Sequence, residues 1–294
     1  MTDDLSISLT DFASLSDFLT VYVGIRLVIS VAIAYLLASR GLRKKSLSAT
    51  GARAAFVVGF LSFAISYRFG FTLIAFYYSS SKLTKFKAAE KRKLEADFDK
   101  ESQRGVAQVL CCSVVATVQA IIYAVYVGPD DTALTPSTTP LATFLLASYI
   151  GHYACCAGDT WASELGILDP FGKPRLALAP WRQVPKGTNG GMSVVGTLAS
   201  VVGGLFIGFC FGLFGFLFVG AEALQLGPLV LLGGFGGAVG SYVDSVLGQL
   251  FQTSYVDDKT GFVVTEGGLD KTHICGVAVL SNTQVSNALL CLLR

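Results

Sequence analysis

The chain has 294 residues, of which 52% are hydrophobic and 14% charged, and its mean hydropathy is +0.60. Soluble domains carry about 25% charged residues, so this composition excludes an ordinary water-soluble protein and indicates one that lies in a lipid bilayer. The formal net charge of +2 is too small for a nucleic-acid-binding surface, and we expect no nucleic-acid partner.

The histidine and cysteine content limits the kind of metal site that the chain could hold. There are two histidines, His152 and His273, and seven cysteines without a CxxC pair. Zinc sites combine several such residues at close spacing, so we expect none here. A metal ion in this chain would be a hard cation bound by carboxylates.

Apolar runs of about 20 residues predict transmembrane helices, because a helix of that length crosses about 30 Å of hydrocarbon. Four runs are clear, at residues 18–38, 106–127, 192–220 and 228–247. Residues 51–78 are too long for one straight span and are interrupted at 67–70, which predicts two short helices or a re-entrant pair. Residues 141–157 predict a further crossing, and residues 273–293 predict a weak last one.

These elements predict an all-α fold: a polytopic helical membrane protein with about seven to eight transmembrane or re-entrant helices. The whole chain, residues 1–294, is expected to form a single integral membrane domain. Its polar loops, at residues 79–104, 158–191 and 249–272, carry eight, four and two Lys/Arg residues, whereas residues 128–140 carry none. By the positive-inside rule the basic loops are cytosolic, which eight crossings with both termini outside would satisfy. The acidic N-terminus lacks the basic region of a signal peptide, so we expect the first span to be retained.

Two aspartates are the first candidates for chemistry. Asp159 lies where an apolar helix meets a basic loop, and Asp244 lies inside an apolar, glycine-rich span. A carboxylate at membrane depth costs several kcal/mol unless it is paired, so such a residue indicates a functional site. A helix places Asp159 and Ser163 on one face, with Glu164 on an adjoining one. We therefore expect Mg²⁺, bound by Asp159 and Asp244 with Glu164 as a third ligand or a partner of the ligands.

The loop after Asp159 has the composition of a phosphate site. It carries Arg175, Arg182 and Lys186, and it ends in Thr188-Asn189-Gly190-Gly191 just before a long helix. Glycines let backbone amides approach an anion, and the N-terminus of a helix adds partial positive charge. This pattern predicts that the loop binds the phosphates of a nucleotide.

A second polar motif, Ser79-Ser80-Ser81-Lys82-Leu83-Thr84-Lys85, stands at the cytosolic end of an apolar helix. Hydroxyl and ammonium groups at this interface could hold a phosphate head whose lipid tail stays in the bilayer. Beyond it, the charged residues 87–100 have the composition of a solvated helix.

The motifs SSSKLTKFK, AGDTWASELG, PWRQVPKGTNGG and GSYVDSVLG together resemble those of the transmembrane protein 19 family, which also includes the phytyl phosphate kinase of tocopherol synthesis. That family is similar in turn to membrane-embedded CTP-using enzymes, the dolichol kinases and phosphatidate cytidylyltransferases. The resemblance implies CTP-dependent phosphorylation of an isoprenyl monophosphate of the phytyl, farnesyl or geranylgeranyl type to the diphosphate.

Such a reaction assigns roles to the candidate residues. Lys82, Lys85, Arg182 and Lys186 would clamp the phosphates, while Arg175 and the hydroxyl and glycine residues of the two motifs would bind the nucleotide or the lipid phosphate. The expected partners are CTP and an isoprenyl phosphate in the membrane. Whether the chain forms a homo-oligomer is left open by the sequence. The endoplasmic reticulum is the default location and the plastid envelope the alternative.

Two other functions remain open at this point. The same site could transfer a cytidylyl group to a lipid phosphate, with pyrophosphate leaving. Alternatively, Asp159 and Asp244 could bind a coupling ion in a secondary transporter, whose sites lie near interruptions of membrane helices. The concentration of polar loops on one face argues against transport.

Overall fold

The protein is described from a computed structural model, which covers residues 9–94, 103–128, 134–220 and 225–279, with side chains from residue 23 onward. Its helices in chain order are α1 (Leu9–Arg43), α2 (Ala49–Ile65), α3 (Tyr67–Lys85), α4 (Ala88–Lys91), α5 (Val106–Cys111), α6 (Val114–Tyr126), α7 (Pro140–Gly166), α8 (Val194–Phe218) and α9 (Leu226–Phe251). Four of them, α1, α7, α8 and α9, contain segments long and apolar enough to cross a membrane. This confirms the prediction of a polytopic helical membrane protein.

The interruption predicted at residues 67–70 lies instead at Ser66, between α2 and α3, and residues 67–70 form the first turn of α3. Ser66 has an extended backbone, and its hydroxyl accepts a hydrogen bond from the amide of Arg68 at 3.1 Å. One serine therefore ends the first helix and caps the second. The two short helices expected from the sequence are present.

The span expected at residues 106–127 is not one continuous helix. It is interrupted at Cys112 and Ser113, which leaves the short helices α5 and α6. The Cys112 carbonyl lies 2.9 Å from Nε2 of His152 on α7. The imidazole can therefore donate a hydrogen bond to the Cys112 carbonyl, which has lost its helical partner at the break. This bond makes the interruption tolerable in an apolar environment.

Helices α7, α8 and α9 pack closely through glycines. A Cβ atom on Gly158 of α7 would lie 2.7 Å from the Cα of Gly237 on α9, and one on Gly204 of α8 would collide with the carbonyl of Gly233. Small residues allow helix backbones to approach one another in lipid, as their spacing in residues 233–241 suggests. These contacts fix α7 and α9 side by side.

Aromatic residues form the core between α3, α7 and α8. The ring centres of Phe69 and Tyr149 lie 4.4 Å apart, and those of Phe69 and Phe211 lie 6.4 Å apart. The Tyr149 hydroxyl donates to the Phe69 carbonyl at 2.9 Å. All three side chains are buried, so α3 is held firmly against the close-packed helices.

Two small antiparallel sheets cover the end of the helices where the polar loops lie. The strands are β1 (Arg175–Leu176), β2 (Ala179–Gln183), β3 (Gly191–Met192), β4 (Ser254–Asp257), β5 (Val263–Val264) and β6 (Lys271–Cys275), in the orders β2-β1-β3 and β5-β4-β6. In the first, Arg175 pairs with Gln183 and Met192. In the second, Tyr255 pairs with Val264 and His273. Leu176, Val184, Ile274 and Cys275 form the small core between them.

The second sheet corrects the last span expected from the sequence. Residues 273–275 belong to strand β6 and not to a transmembrane helix, because they pair with β4. Residues 280–293 of that expected span lie outside the described residues. The expected polar loops also begin later than anticipated, since residues 79–85, 158–166 and 249–251 still belong to helices α3, α7 and α9.

Candidate functional site

Asp159 and Asp244 meet between α7 and α9. Each lies seven residues before the end of its helix, about 10 Å along the axis from the polar-loop side. Their carboxyl groups are close enough to interact electrostatically, and both residues line one pocket. Two acids far apart in sequence are thus brought to one place at one depth.

The glycine contacts explain why the two carboxylates meet. Gly158 packs on Gly237, and Gly240 packs so closely on Cys155 that a side chain at this glycine would collide with the cysteine. These contacts lie just before Asp159 on α7 and just before Asp244 on α9. The absence of side chains at these points therefore brings the acidic turns of the two helices together.

The two acids line a pocket of about 290 Å³, which we call the carboxylate pocket. Its polar lining comes from α7, from the loop before α8, from the start of α8 and from α9: Asp159, Ser163, Lys186, Thr188, Asn189, Ser193, Thr197, Ser241, Asp244, Ser245 and Gln252. Gly187, Gly190 and Gly191 line it as well. This space is close to the lower end of the range for small-molecule sites, which begins at about 300 Å³.

No basic side chain of the described residues forms an ion pair with Asp159 or Asp244. Nor do the described ranges contain a group of three or more acid, histidine or cysteine side chains that would hold a metal alone. Mg²⁺ typically uses one or two carboxylates and completes its shell with water and substrate phosphates. Two adjacent carboxylates beside serine and threonine hydroxyls fit that requirement.

The loop over the pocket is fixed by hydrogen bonds to the second sheet. The Asn189 amide donates to the Ser254 hydroxyl at 3.0 Å, and its side-chain nitrogen donates to the Thr253 carbonyl at 3.2 Å. Gly190 has φ of +75°, and a Cβ there would collide with Gln249. Only glycine allows the loop to lie this close to α9.

Asp169 supports the loop and was not identified from the sequence. It is buried, and its carboxylate accepts from the amides of Phe171 at 2.7 Å and Val195 at 3.1 Å. Burial alone would raise the pKa of Asp169, but these hydrogen bonds and the nearby ammonium of Lys186 hold it below its usual value. Lys186 Nζ donates to the Asp169 carbonyl at 2.7 Å. The available signal was an aspartate followed by proline shortly after a helix.

Glu164 does not reach the carboxylate pocket. It turns toward α3 and α4, where it accepts from Lys91 Nζ and from the Thr84 hydroxyl, each at 2.5 Å. Lys91 is fully buried and also donates to the Leu83 carbonyl at 2.7 Å. Both oxygens of Glu164 thus have protein partners, so the structure does not support Glu164 as a third metal ligand.

The serine and lysine motif at the end of α3 also lies away from the pocket lining. Ser79 donates to the Phe76 carbonyl, and Lys85 donates to the Lys44 carbonyl at 3.3 Å. Lys82 is exposed. The hydroxyls of Ser80 and Ser81 are buried and have no partner among the described residues.

The arginines of the loop are used in the sheets. Arg175 donates to the Pro180 carbonyl at 2.8 Å, and Arg182 donates to the Ile274 carbonyl at 3.0 Å. Neither lines the carboxylate pocket. Among the predicted phosphate-binding cations, the structure brings Lys186 to the carboxylates together with Thr188, Asn189, Gly190 and Gly191.

The family described as Integral membrane protein DUF92 matches residues 32–293. Protein PGR of Arabidopsis thaliana is 37% identical over 264 residues, which cover 89% of this chain and 91% of that protein. Membrane protein MJ0933 of Methanocaldococcus jannaschii is 30% identical over 233 residues, 78% of this chain and 84% of that protein. Protein VTE6, chloroplastic, of Arabidopsis thaliana is 28% identical over 162 residues, 55% of this chain and 45% of that protein. No solved structure matches the chain.

Proposed function

We propose that this chain, which belongs to the DUF92 family of integral membrane proteins, is a CTP-dependent kinase that converts an isoprenyl monophosphate into the diphosphate. Its membership confirms the family resemblance of the four sequence motifs. The observation that carries the proposal is the meeting of Asp159 and Asp244 beneath a glycine-containing loop that brings in Lys186. A pocket that combines these groups suits a reaction between two phosphates.

The reaction needs little from a general base. An oxygen of the lipid monophosphate attacks the γ-phosphorus of CTP and forms a new P–O bond. The bond between the γ-phosphorus and its bridging oxygen breaks, and CDP leaves with that oxygen. A phosphate monoester is largely ionised near neutral pH, since its second pKa is about 6. The protein has to bring two anions together and hold them in line.

The residues of the carboxylate pocket divide this work. Asp159 and Asp244 would hold Mg²⁺, which when bound neutralises phosphate oxygens. The ammonium of Lys186 would balance further charge, and the amide of Gly190 would donate to the nucleotide phosphates. The Gly191 amide and the Thr188 hydroxyl would shape the loop, since they donate to the carbonyls of Thr188 and Pro185 at 2.9 and 2.7 Å. The preference for CTP rests on the family resemblance and not on a contact in the pocket.

Labelled CTP tests the proposal directly. Purified chain in nanodiscs would receive Mg²⁺ and phytyl, farnesyl or geranylgeranyl monophosphate, with CTP labelled at either the γ- or the α-phosphorus. We expect γ-label in a lipid diphosphate, and loss of that product in Asp159→Asn and Asp244→Asn but not in the exposed control Asp270→Asn. α-Label in the lipid would replace the kinase with a cytidylyltransferase. No labelled lipid from any of the acceptors would refute both enzymes.

The protein is an integral membrane protein, and its compartment is part of the proposal. The relative VTE6 is named as a chloroplastic protein, which supports the plastid envelope for this chain. The endoplasmic reticulum is the other compartment consistent with the sequence. Fluorescence microscopy of the tagged full chain beside markers for both membranes distinguishes them.

A further inference from the structure

The proposed reaction brings two substrates of opposite solubility to the carboxylate pocket, a nucleotide from water and a lipid phosphate from the bilayer. Three residues of the pocket lining are exposed: Ser163 on α7, Gly187 in the loop before α8, and Thr197 on α8. They mark the places where the pocket opens. With about 290 Å³, the pocket is too small to enclose a nucleotide and a long hydrocarbon chain together. The chain therefore has to leave through one of these openings.

The opening at Thr197 lies among apolar side chains that face the bilayer. Thr197 is the fourth residue of α8, a helix long and apolar enough to cross a membrane. Its neighbours Val194 and Leu198 are 63% and 62% exposed. On α9, Tyr242 is 45% exposed and follows Ser241 of the pocket lining. Exposed apolar residues on a membrane-spanning helix contact lipid, and tyrosine is typical of the membrane interface.

Helices α8 and α9 are separated by the pocket at the level of Thr197. Deeper in the bundle they touch, since a Cβ on Gly237 of α9 would lie 2.5 Å from the Ser200 carbonyl oxygen of α8. One turn nearer the polar loops, the pocket lies between Thr197 and α9. The contact between α7 and α8 is closed at this level, because a Cβ on Gly196 would lie 3.0 Å from the Ala162 carbonyl oxygen. The opening at Thr197 therefore leads out between α8 and α9.

The openings at Ser163 and Gly187 lie beside charged groups. Gly187 follows Lys186, which also lines the pocket. Ser163 precedes Glu164, whose carboxylate pairs with the ammonium of Lys91. These surroundings suit a hydrophilic, charged substrate. Two chemically different openings thus lead to the same pair of carboxylates.

We propose that the lipid acceptor lies with its phosphate at Asp159 and Asp244 and that its isoprenyl chain leaves the pocket past Thr197, between α8 and α9, into the bilayer. The nucleotide enters on the other side, at Ser163 and Gly187. The identity of both substrates rests on the proposed function, whereas the path of the chain rests on the openings of the pocket. Lipid tails are as apolar as a leucine side chain, so the isoprenyl chain needs no further cavity in the protein.

Cysteine protection tests this path without turnover. Thr197→Cys and Ser163→Cys in phosphatidylcholine nanodiscs with Mg²⁺ would react with N-ethylmaleimide, and the parent chain would give the background, since its described cysteines are buried or half-buried. Geranylgeranyl monophosphate should slow the labelling of Thr197→Cys about fivefold or more and that of Ser163→Cys less than about twofold. CTP should slow the labelling of Ser163→Cys about fivefold or more.

The matched control is Leu198→Cys, which alters the exposed neighbour of Thr197 outside the pocket lining. Its labelling should change less than about twofold with either ligand. Equal slowing at Leu198→Cys and Thr197→Cys would indicate partition of the lipid into the bilayer and overturn the path. Equal protection of Thr197→Cys by geranylgeraniol, which has the chain without the phosphate, would also overturn it.

The path and the kinase proposal can fail separately. If the lipid phosphate protects Thr197→Cys but labelled CTP yields no diphosphate from any acceptor, the kinase proposal fails and the path of the chain stands. If the diphosphate forms while the lipid protects Ser163→Cys, or neither position, the path is refuted and the kinase stands. These comparisons are made on variants that elute as the parent does on size exclusion.

Discussion

Removal of Lys91 should destabilise the protein far more than removal of an equally close but exposed lysine. The side chains of Lys91 and Glu164 are 1% and 17% exposed, and Nζ lies 2.5 Å from Oε2. Lys259 and Asp270 are joined at the same distance, but their side chains are 73% and 59% exposed. The two pairs differ chiefly in burial, so their comparison isolates its effect.

Breaking a buried ion pair leaves an uncompensated charge and costs about 3–5 kcal/mol. Since Glu164 is partly exposed, we expect the low end, about 3 kcal/mol, for Lys91→Met. Exposed pairs contribute about 1 kcal/mol or less, so Lys259→Met should change stability by no more than that. Combining Lys91→Met with Glu164→Leu removes both charges, and the loss should be about 2 kcal/mol smaller than the sum of the single losses.

The free energy of unfolding can be measured in bicelles by SDS titration. Trp161 on α7, three residues before Glu164, supplies a fluorescence signal close to the change. The same titration on Lys259→Met provides the control. Additive losses for Lys91→Met and Glu164→Leu would refute a direct pairing between these side chains, as would equal losses at the buried and exposed lysines.

Three further outcomes are expected. Gly204→Ala should lower the free energy of unfolding by about 1–3 kcal/mol, because its Cβ collides with the Gly233 carbonyl. Gly227→Ala on α9 is the control in the same SDS titration, since a Cβ at Gly227 would have no neighbouring atom within 4 Å. The depressed pKa of Asp169 stabilises the fold fully above the unfolded value of about 3.9, and this stabilisation is lost as pH falls through the lower folded value. The difference in melting temperature between the parent and Asp169→Asn should thus be constant from about pH 5 to 8 and shrink below about pH 4. A difference that grows on acidification would contradict the lowered pKa of Asp169 in the folded protein. Lys186→Gln should raise the KM for CTP about tenfold in the labelled-CTP assay, since hydrogen bonds to charged groups contribute about 1.5–3 kcal/mol; an unchanged KM would remove Lys186 from the nucleotide site.

The two aspartates could be found from the sequence because the cost of burying a carboxylate does not depend on the details of the fold. That Asp159 and Asp244 meet follows from the small residues beside them, and this signal was also present in the glycine spacing. The role of Glu164 was harder to assign. It lies five residues after Asp159, a rotation of about 140° around the helix, whereas Ser163 at four residues remains on nearly the same face.

Other features depend on partners distant in sequence. The break at Cys112 is tolerated because His152 reaches its carbonyl, and the apolar pattern of residues 106–127 cannot show this. The strands over the pocket have two to five residues, too few for alternation to be recognised. Arg182 was expected to bind phosphate because of its charge, but its guanidinium group donates a hydrogen bond to the Ile274 carbonyl.

We propose that Asp159 and Asp244 act together on one divalent cation, without Glu164. Titration of the purified chain with Mn²⁺, followed by electron paramagnetic resonance of the free ion, tests it most directly. We expect one site in the parent, its loss in Asp159→Asn and in Asp244→Asn, and its retention in Glu164→Gln. Retention in either aspartate variant, or loss in Glu164→Gln while the protein remains folded, would contradict the account.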